Sequence, residues 1–256
     1  MKLSGRTTIV TGGAGGIGRA LAGGLTAEGA RVAVVDLQRD AADETASKLD
    51  AAVGIAADVG DPGAVAAMVE EVERRLGPID IYCSNAGVAS GEGLGHDEAW
   101  ERSWRVHGMA HVYAAREVVP GMVARGSGAM VVTASAAGLL MMMQSAPYTA
   151  TKHASVAIAE WLAVNYGGAG VQFHCLCPQG VRTPMVASDP KGEAEVAASG
   201  RILQPEEVAD AVLEAVRQNR FLVLPHPEVY DYERNKVDDR DAWLSGMRRL
   251  LGRIRR

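Results

Sequence analysis

The stretch TGGAGGIG, Thr11 to Gly18, decides the fold that this chain is expected to adopt. It follows TTIVT, a short apolar run rich in β-branched residues, and leads into GRALAGGLTAEGA, whose apolar residues recur at helical spacing. Glycines allow a tight turn and a close approach of backbone to a ligand, and the first amides of the following helix point at a phosphate. The pattern therefore predicts a strand, a turn that binds the pyrophosphate of a dinucleotide, and a helix.

A second strand, RVAVVD, ends at Asp36 and sharpens the expectation about the cofactor. A carboxylate at this place can accept hydrogen bonds from both adenosine ribose hydroxyls, and it would repel a 2′-phosphate. We therefore expect NAD as the cofactor. Arg39 lies close enough in the sequence to keep NADP open as an alternative.

The rest of the chain continues the alternation of strands and helices. Further strands are predicted in VGIAADV, IDIYCSN, GAMVVTAS, GVQFHCLCP and RFLVLP, each after a helical stretch. Such alternation is typical of a parallel sheet covered by helices on both faces. We expect a single doubly wound, Rossmann-like α/β domain of about seven strands over residues 1–225. A C-terminal helical extension, 226–256, carries an apolar stripe that packs on the same domain or on a neighbouring subunit.

The composition of the 256 residues argues against several function classes. The formal net charge of −5 gives no basic footprint for nucleic acid, and no apolar run is as long as a membrane span. The three cysteines are an odd number and do not form a disulfide framework; Cys175 and Cys177 are expected to be small buried side chains of one strand face. The N-terminus shows no signal-peptide core, so we expect a cytoplasmic location.

The segment YTATK carries the candidate acid/base chemistry. A helix places Tyr148 and Lys152 one turn apart on the same face, where an ammonium favours the phenolate form of the tyrosine. Tyr148 can then take a proton from an alcohol, or give one to a carbonyl in the reverse direction. Ser135, at the end of a predicted strand, is suited to hold the substrate oxygen by a hydrogen bond.

Several motifs in order along residues 4–224 resemble the short-chain dehydrogenase/reductase family. They are TGGAGGIG with the TGxxxGxG spacing, the Asp58–Val59 pair, NAG at Asn85–Gly87, Ser135, YTATK with the YxxxK spacing, and CPQGVRTP. The resemblance implies that Lys152 also holds the nicotinamide ribose, and that the chain forms a dimer or tetramer. It further implies dinucleotide contacts from Gly12, Gly16, Ile17, Gly18, Asp36, Leu37, Asp58, Val59, Asn85, Ala86, Gly87, Tyr148, Lys152, Pro178, Val181 and Thr183.

The chain departs from the family pattern at His107, in WERSWRVHGMAH. The family usually has an asparagine there, at a local break in the helix where the main-chain carbonyl holds a water that relays protons to the lysine. Every residue has a carbonyl, and Gly108 can permit the same distortion, so we expect His107 to replace the asparagine in the catalytic set. His107 and His111 also have half of a zinc-site spacing, but no third ligand is nearby. We therefore expect no metal.

The substrate is expected to contact the segment between Ser135 and Tyr148. Its three methionines form a soft apolar wall, or else fill the core or an interface, and Met142, Gln144 and Met185 are the candidate contacts. These features favour an NAD-dependent oxidoreductase that interconverts a fairly hydrophobic secondary alcohol and its ketone. The alternative is a non-catalytic NAD-binding regulator of the same fold. The polar, glycine-containing segment 186–204 is expected to be an excursion from the sheet, as a lid or a surface loop.

Overall fold

Seven parallel strands form one sheet in the computed structural model, which describes residues 1–187 and 200–254. The order across the sheet is β3-β2-β1-β4-β5-β6-β7, so strands are added on one side of β1 up to β3 and on its other side from β4 onward, which is a reversal of the strand order between β1 and β4. Fold class and strand number agree with the prediction. The strands are Thr7–Thr11 (β1), Arg31–Asp36 (β2), Ala52–Ala56 (β3), Ile81–Ser84 (β4), Gly128–Thr133 (β5), Val171–Leu176 (β6) and Leu222–Val223 (β7).

Helices follow the strands and begin and end where local chemistry favours it. For example, the Asp61 carboxylate accepts from the Ala64 amide at 2.8 Å, just before Pro62 opens a helix that stops at Gly77. The α-helices are Gly16–Ala27 (α1), Arg39–Ser47 (α2), Pro62–Leu76 (α3), Asp97–Trp104 (α4), Ala110–Arg125 (α5), Ala146–Tyr166 (α6), Pro184–Ala187 (α7), Pro205–Gln218 (α8), Glu228–Asp238 (α9) and Arg240–Ile254 (α10). A π-helical turn, Arg105–Met109, joins α4 to α5.

The core lies in two layers, one on each face of the sheet. One layer packs α3, α5 and α6 against the strands through residues such as Val65, Ala114 and Val156. The other packs α1, α2 and α8 through residues such as Leu21 and Val212. Both faces are apolar, which is why the strands have nearly continuous hydrophobic sequences.

All seven strands run in one direction, so their carboxyl ends meet at one edge of the sheet. The residues that follow β1, β2, β4, β5 and β6 include most of the candidate site, and the reversal between β1 and β4 opens a crevice there. The boundary expected after residue 225 falls between β7 and α9. Most of the predicted excursion 186–204 lies outside the described residues.

Two smaller predictions concern the cysteines and the membrane. All three cysteines are free and buried, and the sulfur atom of Cys175 in β6 lies 3.7 Å from that of Cys177, which directly follows the strand. Among the described helices, none has the length and apolarity needed to cross a bilayer.

Candidate active site

A cavity of about 460 Å³ opens at the carboxyl edge of the sheet. It brings together most of the residues predicted for the site: Gly12, Gly16, Ile17, Asp36, Leu37, Asp58, Val59, Asn85, Ala86, Gly87, His107, Ser135, Tyr148, Lys152, Pro178, Val181, Thr183 and Met185. Three predicted residues, Gly18, Met142 and Gln144, do not line it. Sequence reasoning missed other lining residues, among them Val88, Val106, Thr133 and Gln179.

The turn after β1, called here the glycine cradle, requires glycine at three of its positions, namely 12, 16 and 18. Gly12 and Gly16 have positive φ angles of 63° and 49°. A β-carbon at position 18 would lie 2.1 Å from the carbonyl oxygen of Gly12, so Gly18 serves the close packing of α1 under the turn. Gly15 caps α1 without a side-chain hydrogen bond, which leaves the first amides of the helix for another acceptor. These features fit a bound pyrophosphate.

Asp36 lies in the cavity at the end of β2. Its carboxylate accepts hydrogen bonds from the Ala14 amide at 3.1 Å and from the Leu37 amide at 2.8 Å, which fix its position. Arg39 donates to the Gly54 carbonyl at 3.1 Å and does not line the cavity. The charge facing this part of the cavity is therefore that of Asp36, which suits the two hydroxyls of an adenosine ribose.

Thr11 connects the ends of β1 and β4 and holds the NAG segment in place. Its hydroxyl accepts from the amides of Asn85 and Ala86 at 2.9 and 3.1 Å. The Asn85 side chain donates to the Thr11 carbonyl at 3.0 Å and accepts from the Thr133 hydroxyl at 3.2 Å. The resemblance included Thr11 only as one position of the TGxxxGxG motif, yet its place at the end of β1 was a signal for this role.

Lys152 is buried beside the cavity, one helical turn after Tyr148. Its ammonium donates to the Thr133 carbonyl at 2.9 Å and lies 5.7 Å from the centre of the Tyr148 ring. Burial strips water from the charged form and lowers the pKa of Lys152 from 10.5 to about 8. The lysine therefore remains mostly charged at neutral pH.

Tyr148 differs from expectation in the direction of its pKa. Although the residue keeps some surface exposed, desolvation of its hydroxyl is the larger effect and raises its pKa, opposed by a hydrogen bond with the Ser135 hydroxyl. The expected effect of Lys152, which is to favour the phenolate, is thus outweighed in the protein alone by desolvation, and its role beside a bound oxidised nicotinamide stays a prediction. The phenol is protonated at neutral pH, and a further positive charge is needed to favour the phenolate.

Ser135 caps the short 3₁₀ turn Ala136–Gly138 that follows β5. Its hydroxyl oxygen accepts from the Ala137 amide at 3.1 Å and its proton is directed to the Pro178 carbonyl at 3.4 Å. The Ala136 amide donates to the same Pro178 carbonyl at 2.8 Å. The Ser135 loop and the turn after β6 are thus held together at the cavity.

His107 lies in the middle of the π-helical turn and is completely buried. Its Nε2 accepts from the Val88 amide at 3.0 Å, which assigns the ring proton to Nδ1, 3.1 Å from the Thr151 hydroxyl. Burial first, and then the charge of Lys152, keep the pKa of His107 well below 6.5. The neutral imidazole therefore braces the Val88 loop against α6, with its ring 5.4 Å from that of Tyr148 in an edge-to-face arrangement.

The main-chain carbonyl of His107 is also engaged. The Ser155 hydroxyl donates to it at 2.6 Å, from the next turn of α6 after Lys152. The helix break expected around Gly108 is present as the π-helical turn.

His111 does not complete a metal site with His107. Its Nδ1 is 2.7 Å from the Ser84 hydroxyl, and burial lowers the pKa of His111 to about 3. Both ring nitrogens of His107 already have protein partners. Within residues 1–187 and 200–254, no group of three or more histidine, cysteine, aspartate or glutamate side chains is placed to hold a metal ion.

Of the three expected substrate contacts, the structure places one at the cavity and two outside its lining. Met185 lines the cavity, whereas the main chain of Met142 is hydrogen-bonded to the Thr149 hydroxyl and the Gln144 carbonyl accepts from the Gly93 amide. Val88 and Val106 add apolar surface beside Tyr148 and His107. Val88 directly follows the NAG motif, so the sequence contained a signal for it.

Comparisons with known proteins agree with this geometry. A family model described as short chain dehydrogenase matches residues 6–194. The 1-deoxy-11-beta-hydroxypentalenate dehydrogenase of Streptomyces exfoliatus is 34% identical over 253 residues, covering 93% of this chain and 90% of the relative.

Two solved structures extend the likeness to the whole fold. A short-chain dehydrogenase/reductase from Burkholderia phymatum in complex with NAD has a TM-score of 0.86 at 26% identity, covering 94% of this chain and 96% of the other. L-sorbose reductase from Gluconobacter frateurii, complexed with NADPH and L-sorbose, has a TM-score of 0.79 at 31% identity, covering 88% and 95%.

Proposed function

The chain belongs to the short-chain dehydrogenase family of oxidoreductases, and we propose that it interconverts a fairly hydrophobic secondary alcohol and its ketone with NAD. The observation that carries the proposal is the convergence of Ser135, Tyr148 and Lys152 on one cavity that also contains the glycine cradle and Asp36. The comparisons give no support to the alternative of a non-catalytic regulator.

We propose that Tyr148 exchanges the proton with the substrate oxygen while Ser135 holds that oxygen in place. When bound, the dinucleotide supplies the hydride acceptor, or the donor in the reverse direction. The raised pKa of Tyr148 keeps its proton available for ketone reduction at neutral pH. Lys152 adds a positive charge on the same helix, 5.7 Å from the tyrosine ring.

The choice of NAD rests on Asp36. A 2′-phosphate near this carboxylate would meet like charge, and Arg39 is hydrogen-bonded to Gly54 rather than facing the cavity. The structural neighbours include one with NAD and one with NADPH, so the charge at the end of β2 is what favours NAD here.

The substrate class rests on the apolar lining near Tyr148, namely Val88, Val106, Pro184 and Met185. The Streptomyces relative is named for a hydroxyl-bearing pentalenate, which is consistent with a hydrophobic alcohol. Met142 and Gln144 stay predictions as substrate contacts, and they lie outside the described cavity lining.

We also propose a homo-oligomer, either a tetramer or a dimer, in the cytoplasm. Large apolar side chains remain exposed on α4 and α6, with Trp104, Trp161 and Val164 at 48%, 57% and 84% exposure. Trp161 and Val164 lie three residues apart on α6 and so share one face of it, and adjoining exposed apolar groups are typical of interaction surfaces. Three free cysteines suit a reducing compartment.

The test is a panel of secondary alcohols with NAD and with NADP, followed by the absorbance of the reduced dinucleotide. We expect turnover with NAD in preference to NADP. Tyr148→Phe is expected to lower kcat by about 10²- to 10⁴-fold while NAD binding, measured by calorimetry, is unchanged.

Tyr166→Phe is the matched control, because Tyr166 lies five turns further along the same helix and packs against Trp161. It should keep the activity. Retention of most of the rate in Tyr148→Phe would overturn the assignment of the proton donor.

A further inference from the structure

Helix α9 is strongly polar, yet it buries a lysine. Of its residues, Val229 and Lys236 are buried, and Lys236 is only 8% exposed. A buried ammonium is costly unless each of its donors finds a partner. The position of those partners therefore shows what the helix is attached to.

Lys236 donates to two carbonyls of the loop that follows Ser135. Its Nζ lies 2.5 Å from the Leu139 oxygen and 3.0 Å from the Leu140 oxygen. The third neighbour is His153 Nε2 at 3.3 Å. His153 Nδ1 is 2.9 Å from the Thr149 carbonyl, an arrangement that places the ring proton on Nδ1 and leaves Nε2 as an acceptor for the lysine.

Trp243 of α10 covers the same ammonium. The centre of its ring is 5.3 Å from Nζ, within the range of a cation–π contact. The two C-terminal helices therefore converge on one ammonium group, which α10 covers with an aromatic ring and which three acceptors of the domain bind.

The loop bound by Lys236 connects the two residues assigned to the substrate oxygen. Ser135 caps the turn Ala136–Gly138, Leu139 and Leu140 come next, and α6 then brings Tyr148 into the cavity. His153 directly follows Lys152. The path of this loop therefore bears on the spacing of the Ser135 and Tyr148 hydroxyls, which lie at its two ends.

A second buried residue of the C-terminal segment holds the other side of the Ser135 loop. His226, 2% exposed, accepts from the Gln179 amide at 3.2 Å and lies 3.0 Å from the Arg201 carbonyl. Gln179 follows Pro178, whose carbonyl binds the Ser135 loop. The C-terminal segment thus contacts both chain segments that meet at Ser135.

We propose that Lys236 is a positioning residue for the alcohol site: it holds the Leu139–Leu140 backbone so that Ser135 and Tyr148 keep the spacing that the substrate oxygen requires. The proposal rests on the function proposed above. The contacts that hold Lys236 are with Leu139, Leu140, His153 and Trp243, and none of them is with the dinucleotide cradle at Gly12–Gly18. Its effect should therefore fall on the alcohol and not on NAD.

The experiment compares Lys236→Met, Lys236→Arg and the matched control Arg234→Met, which removes an exposed positive charge from the same helix. With the best alcohol of the panel, Lys236→Met is expected to lower kcat/KM by about ten- to a hundredfold, because a small displacement of reacting groups has this effect. The NAD dissociation constant and the fraction of NAD-binding sites should not change. Lys236→Arg, which can still donate to two carbonyls, should recover most of the loss.

Amide hydrogen exchange supplies a readout that does not depend on turnover. Lys236→Met should speed exchange in residues 139–145 and leave α1 unchanged. A kcat/KM equal to that of the wild type would overturn the proposal, as would a loss of rate that only matches a loss of NAD-binding sites. If the wild type oxidises no alcohol, the proposed function fails by itself, while unchanged exchange in residues 139–145 would separately refute the role of Lys236.

Discussion

Lys152→Met should make the protein inactive and, at neutral pH, more stable. The wild type holds an ammonium in a buried place that lowers its pKa from 10.5 to about 8. A pKa shift of this size means that the buried charge lowers the free energy of unfolding at pH 7 by about 3 kcal/mol. Methionine fills a similar volume without the charge, but it leaves the Thr133 carbonyl without its 2.9 Å donor, which costs about 1–3 kcal/mol.

The pH dependence separates these two effects, because the lost hydrogen bond does not titrate. The pKa of Lys152 is about 8 in the folded protein and near 10.5 in the unfolded chain, so between these pH values the unfolded wild type binds more protons than the folded one. The free energy of unfolding rises with pH wherever the unfolded chain binds more protons, so the destabilisation by the buried Lys152 charge fades as the pH approaches 10.5. From pH 7 to pH 9.5, the wild type should gain about 2 kcal/mol relative to Lys152→Met.

The assay is urea unfolding of both proteins without added dinucleotide, at several pH values over this range. Lys2→Met serves as control, because Lys2 is exposed and its removal should give no such trend. A difference between Lys152→Met and the wild type that stays constant from pH 7 to pH 9.5 would refute the reasoning, since it would show that Lys152 titrates alike in the folded and unfolded chains.

Two further predictions concern the turn residues and the helix break. His107→Asn should give an active enzyme, since an amide side chain can also accept from the Val88 amide and donate towards the Thr151 hydroxyl; a folded, NAD-binding variant without turnover would contradict this equivalence. His107→Leu should lower the unfolding free energy by about 1–3 kcal/mol, because it leaves the Val88 amide unpaired. Gly18→Ala should destabilise the protein and weaken NAD binding, because the new β-carbon would lie 2.1 Å from the Gly12 carbonyl oxygen. Gly23→Ala in the same helix should stabilise the protein by about 0.5–1 kcal/mol, because a β-carbon there has only Leu49 near it, at 3.9 Å. Calorimetric melting and NAD titration of both variants test the pair, and equal melting temperatures would count against the clash.

The sheet and most of the candidate cavity were predictable from the sequence because they depend on local pattern and on topology. Strand ends such as Thr11 and Asp36 are marked by the change from apolar to polar or glycine residues. Once the strands are parallel, these ends must share one edge of the sheet. Residues that directly follow strands could therefore be assigned to the cavity without knowledge of any side-chain contact.

Features that depend on distant contacts were not predictable. Lys236 meets Leu139 across a separation of 97 residues, and nothing near either residue in the sequence indicates the pairing. The raised pKa of Tyr148 follows from desolvation, which only the packed structure determines. Met142 and Gln144 lie in a loop whose path is set by bonds to Thr149 and Gly93, and not by a repeating pattern.

The π-helical turn at His107 also determines the direction in which α5 faces. An α-helix turns by about 100° per residue, and a π-helical turn accommodates one residue more than an α-helical turn does. Helix α4 before it buries only Ser103, whereas α5 after it buries a long apolar row that includes Ala114, Val118 and Met122. Removal of that one residue would straighten the helix and rotate this row away from the sheet. The turn thus changes the direction in which the helix presents its side chains, so that one continuous helical segment is exposed along α4 and buried along α5.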